Sequence, residues 1–186
     1  MKDKFYNLLK KVLRQSEYAL ILTWLEDSDF FTAPASTKYH SSHEGGLAEH
    51  SFRVYELLKE KNERYDLGLT EREVVVCGLL HDVCKIHFYH KEKRWRKVDG
   101  QWENYEVWGI DDAEPLGHGE KSVILLQGLL KLTSSEIFLI RWHDGPFSTL
   151  MGCYGVPFAF RDAVKKVPAI VAMFTADYEA STFLEK

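Results

Sequence analysis

Long apolar runs are missing from this chain: the longest, Tyr18 to Leu22 and Val74 to Leu80, fall far short of the roughly 18 residues a membrane-spanning helix needs. No membrane segment is expected. Nor do the first residues suit secretion, because Lys2, Asp3, Lys4, Lys10 and Lys11 thread charge through positions that a signal peptide keeps apolar. Cysteine is scarce, with three in 186 residues (Cys77, Cys84, Cys153), and no two form a Cys-x-x-Cys pair. That argues against a disulfide framework and a thiolate zinc site, and makes a reducing cytoplasm the expected compartment. Positive charge is also short: 24 Lys and Arg stand against 28 Asp and Glu, a net of −4. No overall field then draws nucleic acid or an anionic membrane, which leaves room only for a local basic patch. With 12 Gly, 5 Pro and 45% hydrophobic residues, the composition is neither disordered nor fibrous. A chain of this length buries about 70% of its unfolded surface, so its core needs no metal staple and any metal is free to serve chemistry.

What is present is mostly helical in pattern. Phe5, Leu8, Leu9, Val12 and Leu13 mark an amphipathic N-terminal helix, taken as running over residues 1–26. Residues 27–46, with Pro34 and Gly45-Gly46 as breakers, read as a loop long enough to serve substrate or act as a lid. The stripe Leu47, His50, Val54, Leu57, Leu58 is a helix with His50 facing inward. Thr70 and Glu73 form a capping box that opens a buried helix ending in His81-Asp82. An alternating, aromatic-rich segment around Asp99-Gly100 reads as a β-hairpin over residues 93–108. Gly117-His118-Gly119 opens an apolar helix reaching Leu132, and Thr133 with Glu136 caps the next, which closes at Gly145. Residues 146–158 read as a loop, and a last helix runs from Pro168 to about Leu184 with Asp177 on its apolar face. The expected fold is therefore all-α, a single domain over 1–186 with its core over 45–186 and one small inserted hairpin. More than half of it is expected to be helix.

Taken singly, a histidine on an apolar face is usually a hydrogen-bonded core residue. Here His50, His81, Asp82, His118, His143 and Asp177 all lie on or beside buried helix faces or helix ends, on five separate elements. Burying them unpaired would cost several kcal/mol, whereas mutual ligation of a divalent cation satisfies them together. Imidazoles and carboxylates without thiolates suit Mn²⁺, Fe²⁺, Ni²⁺ or Zn²⁺ in a site for chemistry rather than structure.

His50 in Gly45-Gly46-Leu47-Ala48-Glu49-His50, then His81-Asp82-Val83-Cys84-Lys85, then Asp177 in Thr175-Ala176-Asp177-Tyr178, resembles the H…HD…D signature of the HD-domain metal-dependent phosphohydrolase superfamily. The resemblance spans about residues 32–181. It implies an all-α fold in which His50, His81, Asp82 and Asp177 ligate one metal, Mg²⁺ being a further candidate ion. His118 and His143 resemble the added ligands of a two-metal branch in which Asp82 bridges both ions and is catalytic. Ordinary helix-end roles remain the other reading of these two histidines.

Lys85, one turn past Asp82, is either a point charge for a substrate phosphate, as the superfamily uses it, or a solvated helix-end lysine. Asp144 either orients His143 or merely precedes a turn. His40 and Lys38 are candidate substrate contacts in the loop; His87 and His90 read as surface or hairpin-base residues. The basic run from His90 to Lys97 reads as a solvated face rather than a phosphate grip. The function implied is hydrolysis of a phosphate ester of a nucleotide or similar small molecule by metal-activated water. The alternatives are an HD-type 3′-to-5′ exoribonuclease, which the run His40-x-x-His43-x-Gly45-Gly46-Leu47 resembles, and a non-catalytic nucleotide-binding module. A small phosphorylated partner is expected, and nucleic acid is not.

Overall fold

The computed structural model describes residues 1–147 and 156–185, with only the backbone of Phe147, Val156 and Pro157. More than half of these residues are helical, and the sole sheet among them is two-stranded. The helices are α1 (Lys2–Val12), α2 (Gln15–Glu26), α3 (Gly46–Tyr65), α4 (Glu71–Leu80), α5 (His118–Gln127), α6 (Ser134–Arg141), α7 (Val156–Lys166) and α8 (Ile170–Glu179). Strands β1 (Tyr89–Val98) and β2 (Gln101–Ile110) form an antiparallel hairpin. A short 3-10 turn, Val83–Lys85, follows α4, and a π-helical turn, Ala180–Leu184, extends α8. No described helix is long and apolar enough to cross a membrane.

Both expected capping boxes form. Thr70 and Thr133 hydroxyls accept from the backbone N–H of Glu73 and Glu136, whose carboxylates accept from the backbone N–H of Thr70 and Thr133 in return. The Asp99-Gly100 turn has positive φ at both residues, 49° and 87°, the geometry that a two-residue hairpin loop requires. Residues 27–45 contain no helix or strand, yet the segment is tucked in: Phe30, Ala33 and Ala35 are buried.

Five boundaries differ from expectation. The N-terminal helix over 1–26 is two helices, because Leu13 and Arg14 are extended and the Glu17 carboxylate accepts from the Arg14 N–H to start α2 anew. The hairpin is longer than 93–108, beginning at Tyr89 and ending at Ile110. The helix taken to reach Leu132 stops at Gln127, before Gly128. Residues 148–155 of the supposed 146–158 loop lie outside the described residues, and α7 begins already at Val156. Its Pro157 sits in the first turn, where a missing N–H costs nothing, and starts the helix rather than breaking one. The last helix begins at Ile170 and changes to π geometry at Ala180.

Two glycines set the approach of helices that carry the site. A Cβ on Gly78 would lie 2.5 Å from Tyr55 Cα, so α3 and α4 pass backbone to backbone, with His50 and His81 facing across the same seam. A Cβ on Gly119 would lie 2.2 Å from the Arg141 carbonyl oxygen, which joins the start of α5 to the end of α6 beside His118 and His143.

On the opposite side Arg72 ties three helices. Its Nε donates to Glu136 Oε1 at 2.9 Å, its Nη1 to Glu17 Oε2 at 3.0 Å, and its Nη2 to the Lys131 carbonyl. The Glu136 side chain is fully buried. Burial alone would raise the Glu17 carboxyl, but hydrogen bonds from Arg72, Lys131 and Arg14 outweigh it and hold the group below the usual carboxylate range. A depressed pKa contributes stability above the unfolded value of about 4.3, and that stability is lost as pH falls through the folded value. Arg72→Met should cost about 3 kcal/mol at neutral pH, since it strands a buried carboxylate while Arg72 itself keeps some solvent. Thermal melts should show a lower Tm at pH 7 and a flatter loss of Tm below about pH 4 than in the wild type. An unchanged Tm at pH 7 would show that the network stabilises nothing.

Candidate metal centre

Asp82 lies just past the C-terminal end of α4, where the chain turns into the 3-10 segment, and its carboxylate is sealed from solvent. Its two oxygens face different groups. Oδ2 meets Lys85 Nζ at 2.7 Å, His50 Nε2 at 3.5 Å and His81 Nε2 at 3.6 Å. Oδ1 meets His118 Nε2 at 3.2 Å and His143 Nε2 at 3.4 Å. Asp177, brought in by α8, places Oδ1 3.0 Å from His50 Nε2 and 4.0 Å from His81 Nε2. All six residues singled out in the sequence thus converge on one spot, from α3, α5, α8 and the turns after α4 and α6.

Three imidazoles are oriented from behind. His81 Nδ1 donates to the Gly78 carbonyl at 3.0 Å and His143 Nδ1 to the Ile140 carbonyl at 2.7 Å, each reaching back one turn into its own helix. His50 Nδ1 donates to Glu185 Oε1 at 3.0 Å. With Nδ1 protonated, a neutral ring turns the lone pair of Nε2 inward. His50 Nε2 and His81 Nε2 then sit 3.3 Å apart, an arrangement that needs a shared proton or a cation. Asp82 Oδ1 and His143 Nε2 are buried with no hydrogen-bond partner. Orphaned donor atoms in a buried imidazole–carboxylate set fit a divalent cation, and two triads, His50/His81/Asp177 and His81/Asp82/His143, each place one ligand atom per residue within 4.8 Å of the others.

The same anionic set also attracts protons, with which a divalent cation would compete. Burial would lower His50, but hydrogen bonds to Asp177 and Glu185 raise it to about 9; burial likewise opposes Asp144 and Asp82 at His143, which rises to about 10. His118 is raised as well, against burial, by Cys84 and Asp82. His81 drops to about 4, because burial, with the nearby His143 and His50 rings, outweighs Asp82 and Asp177. Burial would raise Asp82 and Asp177, yet Lys85 and His81 for the first, and His50 for the second, hold both well below the usual carboxylate range. The site is a sealed anionic pair that collects positive charge.

Lys85 is buried with its ammonium on Asp82, and burial, which would lower it, is outweighed by Asp82, so it stays charged. The His40 ring lies 5.2 Å from that of His50, at the edge of the centre. Lys38 is placed apart: it is exposed and lines a groove of about 480 Å³ between the loop and the hairpin, with His43, Lys91 and Trp108. Asp144 Oδ1 is 3.6 Å from His143 Nε2. His87 and His90 are exposed, near Asp29 and Glu92 respectively.

Three contributors carried no signal in the sequence. Glu185 is buried after the π-helical turn and accepts from His50 and from the Ser41 hydroxyl. Tyr89 stands beside Lys85 and donates to the Ala35 carbonyl. Cys84 lies within 4.8 Å of ligand atoms on Asp82 and His118. A lone Glu, Tyr or Cys in such surroundings reads as surface or core, and only the fold brings each to the centre.

A family model described as HD domain matches residues 47–174, well over half of the chain and including His50, the His81-Asp82 doublet, His118 and His143. Over 83 residues the chain is 31% identical to the dihydroneopterin 2′,3′-cyclic phosphate phosphodiesterase of Methanocaldococcus jannaschii. That stretch is 42% of this chain and 31% of the relative, so the chain spans about a third of the length of the curated relative it matches. No solved structure matches it significantly. By this match and by the convergence of its histidines and aspartates, the chain belongs to the HD domain family.

Proposed function

We propose that this chain is a metal-dependent phosphohydrolase built on Asp82. The observation that carries the reading is the division of labour between the two oxygens of that carboxylate. Oδ2, with His50, His81 and Asp177, would hold one divalent cation; Oδ1, with His118 and His143, would hold a second. A bound pair of such ions supplies Lewis acidity at a phosphoryl oxygen and a water acidic enough to attack at neutral pH.

The chain's own residues supply the rest. Glu185 and the carbonyls of Gly78 and Ile140 fix the imidazoles in one tautomer and one orientation, so no reorganisation is needed when a ligand arrives. Lys85 holds a positive charge beside the Asp82 carboxylate, where an anionic phosphate would dock. His40, whose ring lies 5.2 Å from that of His50, would touch the substrate. The substrate is a phosphate ester of a nucleotide or similar small molecule. A diester is favoured over a monoester because the relative acts on a cyclic phosphate. Mn²⁺, Fe²⁺, Ni²⁺, Mg²⁺ and Zn²⁺ remain the candidate ions, and the whole chain is read as one domain.

Protein purified without chelator should carry up to two transition-metal ions per chain by elemental analysis. It should also hydrolyse bis(p-nitrophenyl) phosphate with added Mn²⁺ and stop on addition of EDTA. Metal-free, inactive protein under these conditions would sink the reading. Asp82→Ala should empty both positions, while His118→Ala or His143→Ala should leave one ion and a much lower rate. Wild-type stoichiometry and rate in both histidine variants would make the site mononuclear.

Lys85→Ala should keep its metal while KM rises about tenfold or more, the worth of one charge-assisted phosphate contact. Unchanged kinetics would reduce Lys85 to a neutralising partner of Asp82. Glu185→Ala should weaken metal affinity about 10–100-fold, read by competition with a chromophoric chelator, and Glu185→Gln, which still accepts from His50, should recover much of it. Equal affinities in all three proteins would show that Glu185 does not position His50.

A further inference from the structure

The hairpin's register sorts its side chains in a way that composition hides. Opposite residues share a face, and Lys91 faces Trp108, Lys93 faces Glu106, Trp95 faces Asn104, and Lys97 faces Trp102. One face therefore carries three tryptophans and three lysines against a single carboxylate, Glu106. Trp95 and Trp102 are 62% and 67% exposed, which is unusual for so large an apolar ring without a partner. No carboxylate lies within ion-pair distance of Lys91, Lys93 or Lys97 among the described residues; Lys91 instead sits 5.3 Å over the Trp108 ring. The opposite face is different: Arg94 Nε donates to Glu92 at 2.8 Å, and Arg96 pairs with Glu103 and lies over the Tyr105 ring. Cations are neutralised on one side of the ribbon and left free on the other.

The free face also leads somewhere. Tyr89 begins it, with its hydroxyl on the Ala35 carbonyl and its ring beside Lys85, at the edge of the metal centre. From Tyr89 to Lys97 it extends about 25 Å outward, past the groove lined by Lys38, His43 and Trp108. We propose that this face is a binding platform for single-stranded nucleic acid, with tryptophans stacking bases and lysines following the backbone phosphates. The inference rests on the phosphohydrolase chemistry and departs from the small-molecule substrate proposed above: the scissile diester would belong to a strand laid along the hairpin toward Asp82. Protein–protein interfaces are depleted in lysine, whereas alternating aromatic rings and unpaired lysines are what a sequence-tolerant strand platform requires. The net charge of −4 does not oppose this, because Glu106 is the one acidic residue that the register puts on this face of the hairpin.

Fluorescence anisotropy with short labelled thymidylate and uridylate strands tests it, in EDTA so that nothing is cleaved. Wild-type protein should bind with an affinity that falls as salt rises, with quenching of tryptophan emission. Trp95→Ala combined with Trp102→Ala should weaken binding about tenfold or more. Lys91→Gln, Lys93→Gln and Lys97→Gln together should reduce the slope of log affinity against log salt by about 2. Arg94→Ala with Arg96→Ala, on the other face, should match the wild type. Preference for either strand supports the inference. Wild-type binding by the tryptophan or lysine variants overturns it, as does equal binding of a duplex, or capture by phosphatidylserine vesicles with no strand binding. Hydrolysis of bis(p-nitrophenyl) phosphate by metal-loaded wild type is read in parallel. Hydrolysis without strand binding rejects the platform alone; strand binding without hydrolysis rejects the phosphohydrolase reading alone.

Discussion

Asp82 is a carboxylate removed from water and kept ionised, and the surrounding architecture answers that constraint. A lone buried anion is unstable by many kcal/mol, so it must gather positive charge or lose its own. Lys85 supplies a fixed cation from the next turn of the chain, and four imidazoles supply titratable ones from α3, α5 and the ends of α4 and α6. Each imidazole is in turn close enough only because a helix packs unusually near its neighbour, as at Gly78 and Gly119. Backbone contact, ring orientation and charge balance are three levels of one requirement.

The centre was largely legible in the sequence because its chemistry is improbable there. Imidazoles and aspartates on apolar stripes have few explanations, and six of them on five elements point to mutual ligation of a cation. The capping boxes were legible for a similar reason, since Thr70 with Glu73 and Thr133 with Glu136 act within four residues. Glu185 was not, because its meaning depends on the path of the chain after α8, which no local pattern encodes. The break between α1 and α2 was hidden too, since an apolar stripe runs straight across Leu13 and only two extended residues interrupt it. Pro157 misled in the opposite sense, resembling a breaker where it is a helix start.

The hairpin sits between these cases. Asp99-Gly100 is a strong local signal, and a two-residue turn fixes the register that pairs Val98 with Gln101. The sorting of lysine and tryptophan onto one face follows from that register, while the neutralisation of Arg94 and Arg96 on the other depends on side-chain conformations. Reading the run as a plain solvated charge cluster misses the difference, because it averages two unlike faces.

The order in which the chain supplies its ligands has a consequence for how the protein matures. His50, His81 and Asp82 come from its first half, but Asp177 is carried by α8, which packs against α3 and α6. On a ribosome adding about 5–20 residues per second, α3 and α4 emerge seconds before α8 does. During that interval the nascent chain holds an incomplete donor set and the uncovered face of α3. Closing the centre must therefore follow synthesis of α8, and an ion captured earlier would be held by fewer ligands in a site still open to exchange. A cation held by the full set of six residues would therefore be selected after translation, from the pool that meets the folded chain.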